Sequence, residues 1–420
     1  MFSSNNSGRV LIIVQNLPVP FDRRVWLEAT TLTDKGYVVS VICPKAKGFD
    51  KSFETINGID IYRYALPIDA QGAIGFIIEF AWCYLRTLMK SLRVAILGRG
   101  FDVIHACNPP ETYWLLALLW RPFGKRFLFD HHDLSPEMFA AKFGTSDGWL
   151  HKGLLFLEKM SFNTADVVVT TNQSHEQIAI RRGGVAPERI FIVRSGPDLK
   201  RFKVYSPDPS WKCGKKFLLV YLGEMCKQDG VDHFVRAVCH LRSELSRSDF
   251  HAIFVGGGPE QPVIKRYAHQ VGVADCCTFT GRVSDDELCR ILSSADIAVD
   301  PDPKTEWSDK STMNKIMEYM FFGLPIVAYD LTEARVSAQD AALYAEPNSE
   351  TVLALAISSL LDDPQRRQAM SAFGYQRVRE ALVWEHSIPL LIAAYQRIFQ
   401  TADDKADSGP SEAVGSLNRT

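Results

Sequence analysis

Short, almost wholly apolar runs alternate with longer amphipathic ones through most of the chain. Residues 10–14 read Val-Leu-Ile-Ile-Val, as a parallel strand buried on both faces should. A Pro-containing loop follows over 16–22, then a helical pattern over 23–35 that Gly36 stops, then a second strand over 38–43. Strand, loop, helix and strand open a βαβ unit. The rhythm returns with strands at 103–105, 127–130 and 166–171 and an apolar helix over 113–120. Residues 197–216, rich in Pro, Lys and Asp, read as the connection between two domains. Beyond them come strands at 217–222, 252–255, 277–280, 297–300 and 326–328, with helical segments between. The expected fold is α/β, two Rossmann-like domains facing one another across a cleft. The expected boundaries are 1–200, 201–382, a C-terminal helix over 383–400 returning to the first domain, and a disordered tail over 401–420. Ligands of open α/β sheets sit beyond the carboxyl ends of the strands, so the cleft is the place for substrates.

A chain of 420 residues is too long for one hydrophobic core, which agrees with two domains. The net charge of -2 supplies no field for a nucleic-acid backbone, and no nucleic-acid partner is expected. Nine scattered cysteines form neither a disulfide framework nor a zinc-ligand spacing and fit a reducing cytoplasm. The start of the chain carries no signal-peptide pattern. Residues 74–97 are the most membrane-like stretch, but Glu79, Arg86, Lys90 and Arg93 interrupt it. It is not expected to span a bilayer, though it can lie on one. The expected location is cytoplasmic, with peripheral contact at the inner face of the plasma membrane.

The most informative stretch runs from Lys310 through Ser311, Thr312, Met313, Asn314 and Lys315 to Glu318, and closes with Gly323-Leu324-Pro325 and a strand. Ser311 or Thr312 reads as a helix N-cap, and the free N–H groups of the first turn would attract a diphosphate. Glu318 would then stand two turns along the same face. There a carboxylate can accept both ribose hydroxyls of a nucleotide. The plainer reading is a capped helix with a solvated glutamate.

This stretch resembles the donor-binding helix of family 4 retaining glycosyltransferases, whose pattern is two acids eight apart, then Gly-x-Pro and a strand. Glu318 matches the second acid. The first falls on Lys310, with Asp309 one residue out of register, so Lys310 is expected to reach the diphosphate instead. The resemblance covers residues 9–399 and implies the two-Rossmann (GT-B) fold, with an N-terminal acceptor domain and a C-terminal nucleotide-sugar domain. The segment 16–26, with Arg23 and Arg24 at a helix start, resembles a bacterial polysaccharide-assembly branch; the two arginines either face the cleft or are simply solvated. Phe129-Asp130-His131-His132-Asp133 resembles the family segment whose histidine contacts the transferred sugar, and His132 is the better match. His105 reads as structural. Gly256, Gly257 and Gly258, with Arg282 and Val283, match the nucleotide-side loops. Where many relatives carry an Arg and a Lys that grip the diphosphate, this chain has Glu224 and Asp229. Lys227, Lys310, Lys315 and Arg23 are left to meet that charge. Asp300-Pro301-Asp302 reads as loop, not as a metal site.

The resemblance implies a nucleotide-sugar donor and a glycan or polyprenyl-diphosphate-linked acceptor, with no metal or other cofactor. Catalysis would rest on Glu318, Lys310 and His132, with Ser311, Thr312 and Met313 at the phosphates. The rival readings are a nucleotide-sugar epimerase of the same fold and a non-catalytic sugar-binding paralogue, the latter motivated by the missing first acid.

Overall fold

The computed structural model describes residues 8–67, 72–199 and 201–407. Its first sheet is built from β1 (Arg9–Ile13), β2 (Val38–Pro44), β3 (Phe53–Ile56), β4 (Ile59–Tyr64), β5 (Val103–Cys107), β6 (Arg126–His131), β7 (Val167–Thr170) and β8 (Ile190–Ile192), in the order β3-β4-β2-β1-β5-β6-β7-β8. All neighbours are parallel except β3 and β4. That hairpin turns at Asn57-Gly58, both at positive φ (51° and 81°), as a two-residue turn of this kind demands. The strand β1 shows why its sequence is apolar without alternation. Val10 and Ile12 enter one core layer, Leu11 and Ile13 the other. Successive side chains leave opposite faces of a sheet that helices cover on both sides.

The second sheet holds β9 (Phe217–Leu222), β10 (Phe250–Val255), β11 (Cys277–Gly281), β12 (Ile297–Asp300), β13 (Ile326–Tyr329) and β14 (Ala342–Ala345), all parallel, in the order β11-β10-β9-β12-β13-β14. Strand order reverses between β1 and β5 in the first sheet and between β9 and β12 in the second. Crevices for ligands open at such points.

Two stretches differ from expectation. Residues 197–216 are not a free linker. Phe202 is buried in the second core, and Tyr205 and Trp211 pack against it. Three aromatics in a polar stretch give it apolar area to bury, so it docks. The last helix, Trp384–Asp407, runs past residue 400 into the stretch expected to be disordered; residues 408–420 lie outside the described residues. It lies against the first sheet, where Leu391, Ala394, Tyr395 and Ile398 are fully buried. The chain thus crosses between domains twice, and the crossings touch. Trp384 N donates to Pro197 O at 3.3 Å. A Cβ on Gly196 would lie 2.1 Å from Leu382 O, so only glycine fits there.

Candidate active site

The second domain builds its half of the cleft from loops at the carboxyl ends of β9, β10, β11 and β12. The loop 256–258 is seated on the loop after β9: Gly223 N donates to Val255 O and Met225 N to Gly257 O, at 3.0 and 2.8 Å. A Cβ on Gly256 would stand 1.8 Å from Gly223 O, and one on Gly258 would stand 2.5 Å from Met225 O. Both have positive φ, 126° and 155°. These two glycines therefore serve loop-on-loop packing. Gly257 has room, its nearest neighbour for a Cβ being Arg282 N at 3.9 Å. Asp229 closes the turn Lys227–Asp229 by accepting from Cys226 N at 2.8 Å. Lys227 lies exposed on that turn.

The expected N-cap does not form. Ser308–Lys310 is a turn of 3₁₀ helix, the chain stays extended through Ser311 and Met313, and the helix begins at Asn314 and ends at Phe321. The Ser311 hydroxyl donates to Trp307 O at 2.7 Å. Thr312 Oγ1 accepts from Asn172 Nδ2 at 2.9 Å, and the same amide donates to Lys310 O, so a first-domain side chain already holds this segment across the cleft. Met313 occupies the cap position without a side-chain bond, which leaves first-turn N–H groups free of a side-chain cap. Glu318 lies about one turn in, not two.

Glu318 is nearly buried, 8% exposed. Its Oε1 is 3.2 Å from Arg23 Nη1 of the first domain and 3.9 Å from Arg201 Nη1. Arg201 also binds Asp285, Nε to Oδ2 at 2.6 Å. Burial raises the Glu318 carboxyl above its ordinary value, opposed by the two arginines. Beside this cluster Arg282 stacks on Phe21 of the first domain, 4.3 Å from the ring centroid. Arg23, Glu318 and Arg282 thus meet at the cleft. Arg201 and Asp285 were missed, and nothing in their local sequence marks them.

Lys315, expected at the phosphates, and Arg24, expected either to face the cleft or to be solvated, are both engaged elsewhere. Lys315 is held between Asp302 and Asp300, at 2.7 and 3.2 Å, beneath the end of β12. Asp300 and Asp302 are consequently buried ion partners, not ordinary loop residues. They hold the lysine charge that the sequence reading gave to the diphosphate. Arg24 turns away from the cleft into the first sheet, binding Asp130 through Nε and Nη2 at 3.0 and 2.8 Å and Glu28 at 3.1 Å. Lys310 pairs with Glu306 and keeps a third of its side chain exposed.

The two histidines at the end of β6 face opposite ways, as strand alternation requires. His131 is wholly buried among Phe129 and Phe162, with Nε2 3.0 Å from Glu158. Burial, with Arg182 nearby, lowers it to about 3, so it is neutral. His132 keeps part of its side chain exposed just past the carboxyl end of β6. Its N donates to Asn108 Oδ1 at 2.8 Å, and Nδ1 lies 3.1 Å from Asp130 Oδ2. Burial opposes the imidazolium, but the Asp130 carboxylate outweighs it and raises His132 to about 9. The ring is a cation at neutral pH. Asp130 itself is held well below the usual carboxylate range by Arg24 and His132, against its burial. Glu28, His105, Cys107 and Asp130 bring ligand atoms within 4.8 Å of one another. The Arg24 guanidinium sits among them and already supplies the balancing cation. His105, in the middle of β5, is fully buried.

Two α/β sheets with switch-point loops facing one another, one side offering a buried carboxylate and the other a histidine, define a two-domain protein of the GT-B class. Residues 22–201 match the model of Glycosyltransferase Family 4, and residues 216–363 that of Glycosyl transferases group 1. The chain is 23% identical over 267 residues to 2-deoxystreptamine glucosyltransferase of Streptomyces kanamyceticus, covering 60% of this chain and 66%, just under two thirds, of that protein. It is 26% identical over 284 residues to a GDP-mannose-dependent alpha-(1-6)-phosphatidylinositol monomannoside mannosyltransferase of Mycobacterium tuberculosis, covering 64% and 71%. The structure of Anabaena Alr3699/HepE with UDP and glucose shares the fold, with a TM-score of 0.67 and 15% identity over 94% of this chain and all of that one. The chain belongs to family 4 of the glycosyltransferases and is a transferase of GT-B type.

Proposed function

We propose that this enzyme moves a sugar, with retention of configuration and without a metal ion, from a nucleotide diphosphate donor to a glycan or polyprenyl-diphosphate-linked acceptor during cell-surface polysaccharide synthesis. The observation that carries the reading is Glu318, a nearly buried carboxylate at the cleft, reached by arginines from two directions. A ribose with two hydroxyls to donate can take the place of Arg23 at Glu318, which releases the Arg23 cation toward the diphosphate. The open first turn at Met313 and the exposed side of Lys310 complete the phosphate cradle. Lys227, Arg282, Val283 and the loop 256–258 flank the nucleotide. The departing phosphate oxygen takes the proton of the acceptor hydroxyl on the same face of the sugar. His132, charged and held by Asp130, orients the sugar and is not the nucleophile.

The acceptor side is supported by the long helix Gly72–Leu97. Among the described residues no helix is long and apolar enough to cross a membrane. This one nevertheless turns Ile78, Trp82, Leu85, Met89, Leu92 and Ile96 outward, while Cys83, Thr87, Ser91 and Val94 face the core. Ile74, Phe76 and Ile77, part of the expected apolar surface, have side chains outside the described residues. An outward apolar stripe with Arg86, Lys90 and Arg93 beside it suits the surface of an anionic leaflet.

The test is transfer from a donor panel to a polyprenyl-diphosphate-linked glycan in anionic vesicles, with EDTA present and the product anomer read by NMR. The expected product keeps the donor configuration, and vesicle binding weakens with salt and in the triple variant Arg86→Ala, Lys90→Ala, Arg93→Ala. An inverted product, or full loss of transfer on chelation, overturns the mechanism. Vesicle binding indifferent to both changes overturns the membrane reading.

A further inference from the structure

Behind His132 lies a connected set of buried polar groups that the transfer itself does not use. Tyr395, on the returning C-terminal helix, places its hydroxyl 2.8 Å from His105 Nδ1. His105 Nε2 lies 3.6 Å from Glu28 and 3.7 Å from Asp130 Oδ2, the same oxygen that holds His132. Arg24 grips Asp130 from the other side and continues to Val193 O and Ser195 Oγ, at 2.8 and 2.9 Å, where the chain first leaves the domain. The two crossings between domains therefore reach the same carboxylate, one through Arg24 and one through Tyr395 and His105. Tyr395, His105, Glu28 and Asp130 are fully buried, so these contacts are unscreened by water.

We propose that Tyr395 and His105 are positioning residues for His132: seated from behind by the C-terminal helix, they fix the Asp130 carboxylate and, through it, the orientation of the His132 ring at the cleft. With its carboxylate neighbours at Nε2, the His105 tautomer protonated there leaves Nδ1 to accept the Tyr395 hydroxyl proton. Removing that hydroxyl leaves a buried acceptor unpaired, frees the His105 ring to turn and loosens the carboxylate. The other groups that face His132 are Asp22, Arg24 and Glu28 at and within the helix Arg23–Asp34, His131 of β6, Asp133 just after it, and His175 of the helix Gln173–Arg181. His131 and His175 are buried and shifted toward their neutral forms, and the field at His132 is set first by Asp130, then by Asp133, with Arg24 opposing.

The inference rests on His132 as the sugar-facing histidine, but its test reads the ring itself and needs no donor. The full chain, labelled with carbon-13 at histidine Cε1, is titrated by NMR, and the His132 resonance is assigned from its loss in His132→Gln. Tyr395→Phe removes one oxygen and keeps the ring in its packing. The His132 midpoint should fall by about one pH unit, a tenfold change in proton affinity. Tyr37→Phe is the control: its ring packs on Tyr395 at 5.4 Å, but among the described residues its hydroxyl bonds neither His105 nor Asp130. It should leave the midpoint where it is. His105→Gln, a second break in the relay, should move it as Tyr395→Phe does. A midpoint unchanged in both relay variants, or moved equally by Tyr37→Phe, overturns the proposal; loss of donor binding with the relay shifts intact would instead count against the site.

Discussion

His131 and His132 differ by one position and by everything that surrounds them. The first is packed against phenylalanines and kept neutral; the second pairs with the Asp130 carboxylate and is raised to about 9. His132→Ala should lower kcat by about 10- to 100-fold, the worth of one charge-assisted hydrogen bond, and leave nucleoside diphosphate affinity unchanged. Equal loss in His131→Ala with none in His132→Ala would show the other histidine to be the one that matters. The raised value also fixes a pH dependence of stability. The folded state binds the proton more tightly than the unfolded chain, so the stabilisation by the His132 ion pair is complete below about pH 6.5 and disappears as pH rises through about 9. The Tm gap between wild type and His132→Gln should close across that window.

At the scale of elements, the alternating strands and helices, the histidine after β6 and the glutamate before Gly-x-Pro were legible, because each is written in a local pattern of apolar positions or a fixed spacing. The helix start was misread. Ser311 and Thr312 have good capping chemistry, but Trp307 O and Asn172 take up their hydroxyls, and neither partner is visible from the segment itself. Lys315 was misread for the same reason, since its partners Asp300 and Asp302 reach it from the end of another strand. The hairpin at Asn57-Gly58 carries a clear turn signal in its two residues. Gly256 and Gly258, after β10, answer first to packing against Gly223 and Met225. Gly256→Ala should therefore destabilise the enzyme by more than about 2 kcal/mol, and Gly257→Ala by no more than about 0.5 kcal/mol, measured by chemical unfolding. Equal effects at the two positions would contradict the packing account.

In the whole molecule, the cleft is spanned by side chains that substrates must rearrange. Arg23 reaches Glu318, Asn172 holds Lys310 and Thr312, Arg282 lies on Phe21, and Ser174 donates to Glu333 at 2.6 Å. On the proposed reading, Glu318 is held by Arg23 of the opposite domain until a nucleotide displaces it, which would tie donor binding to the relation between the domains. The account stands or falls on that carboxylate. The most direct measurement is calorimetric titration of a nucleotide-sugar panel into the full chain, wild type and Glu318→Gln side by side. The predicted result is binding of at least one donor by wild type, weakened about 10- to 100-fold in Glu318→Gln while the unfolding temperature holds. Equal donor affinity in the two proteins would contradict it.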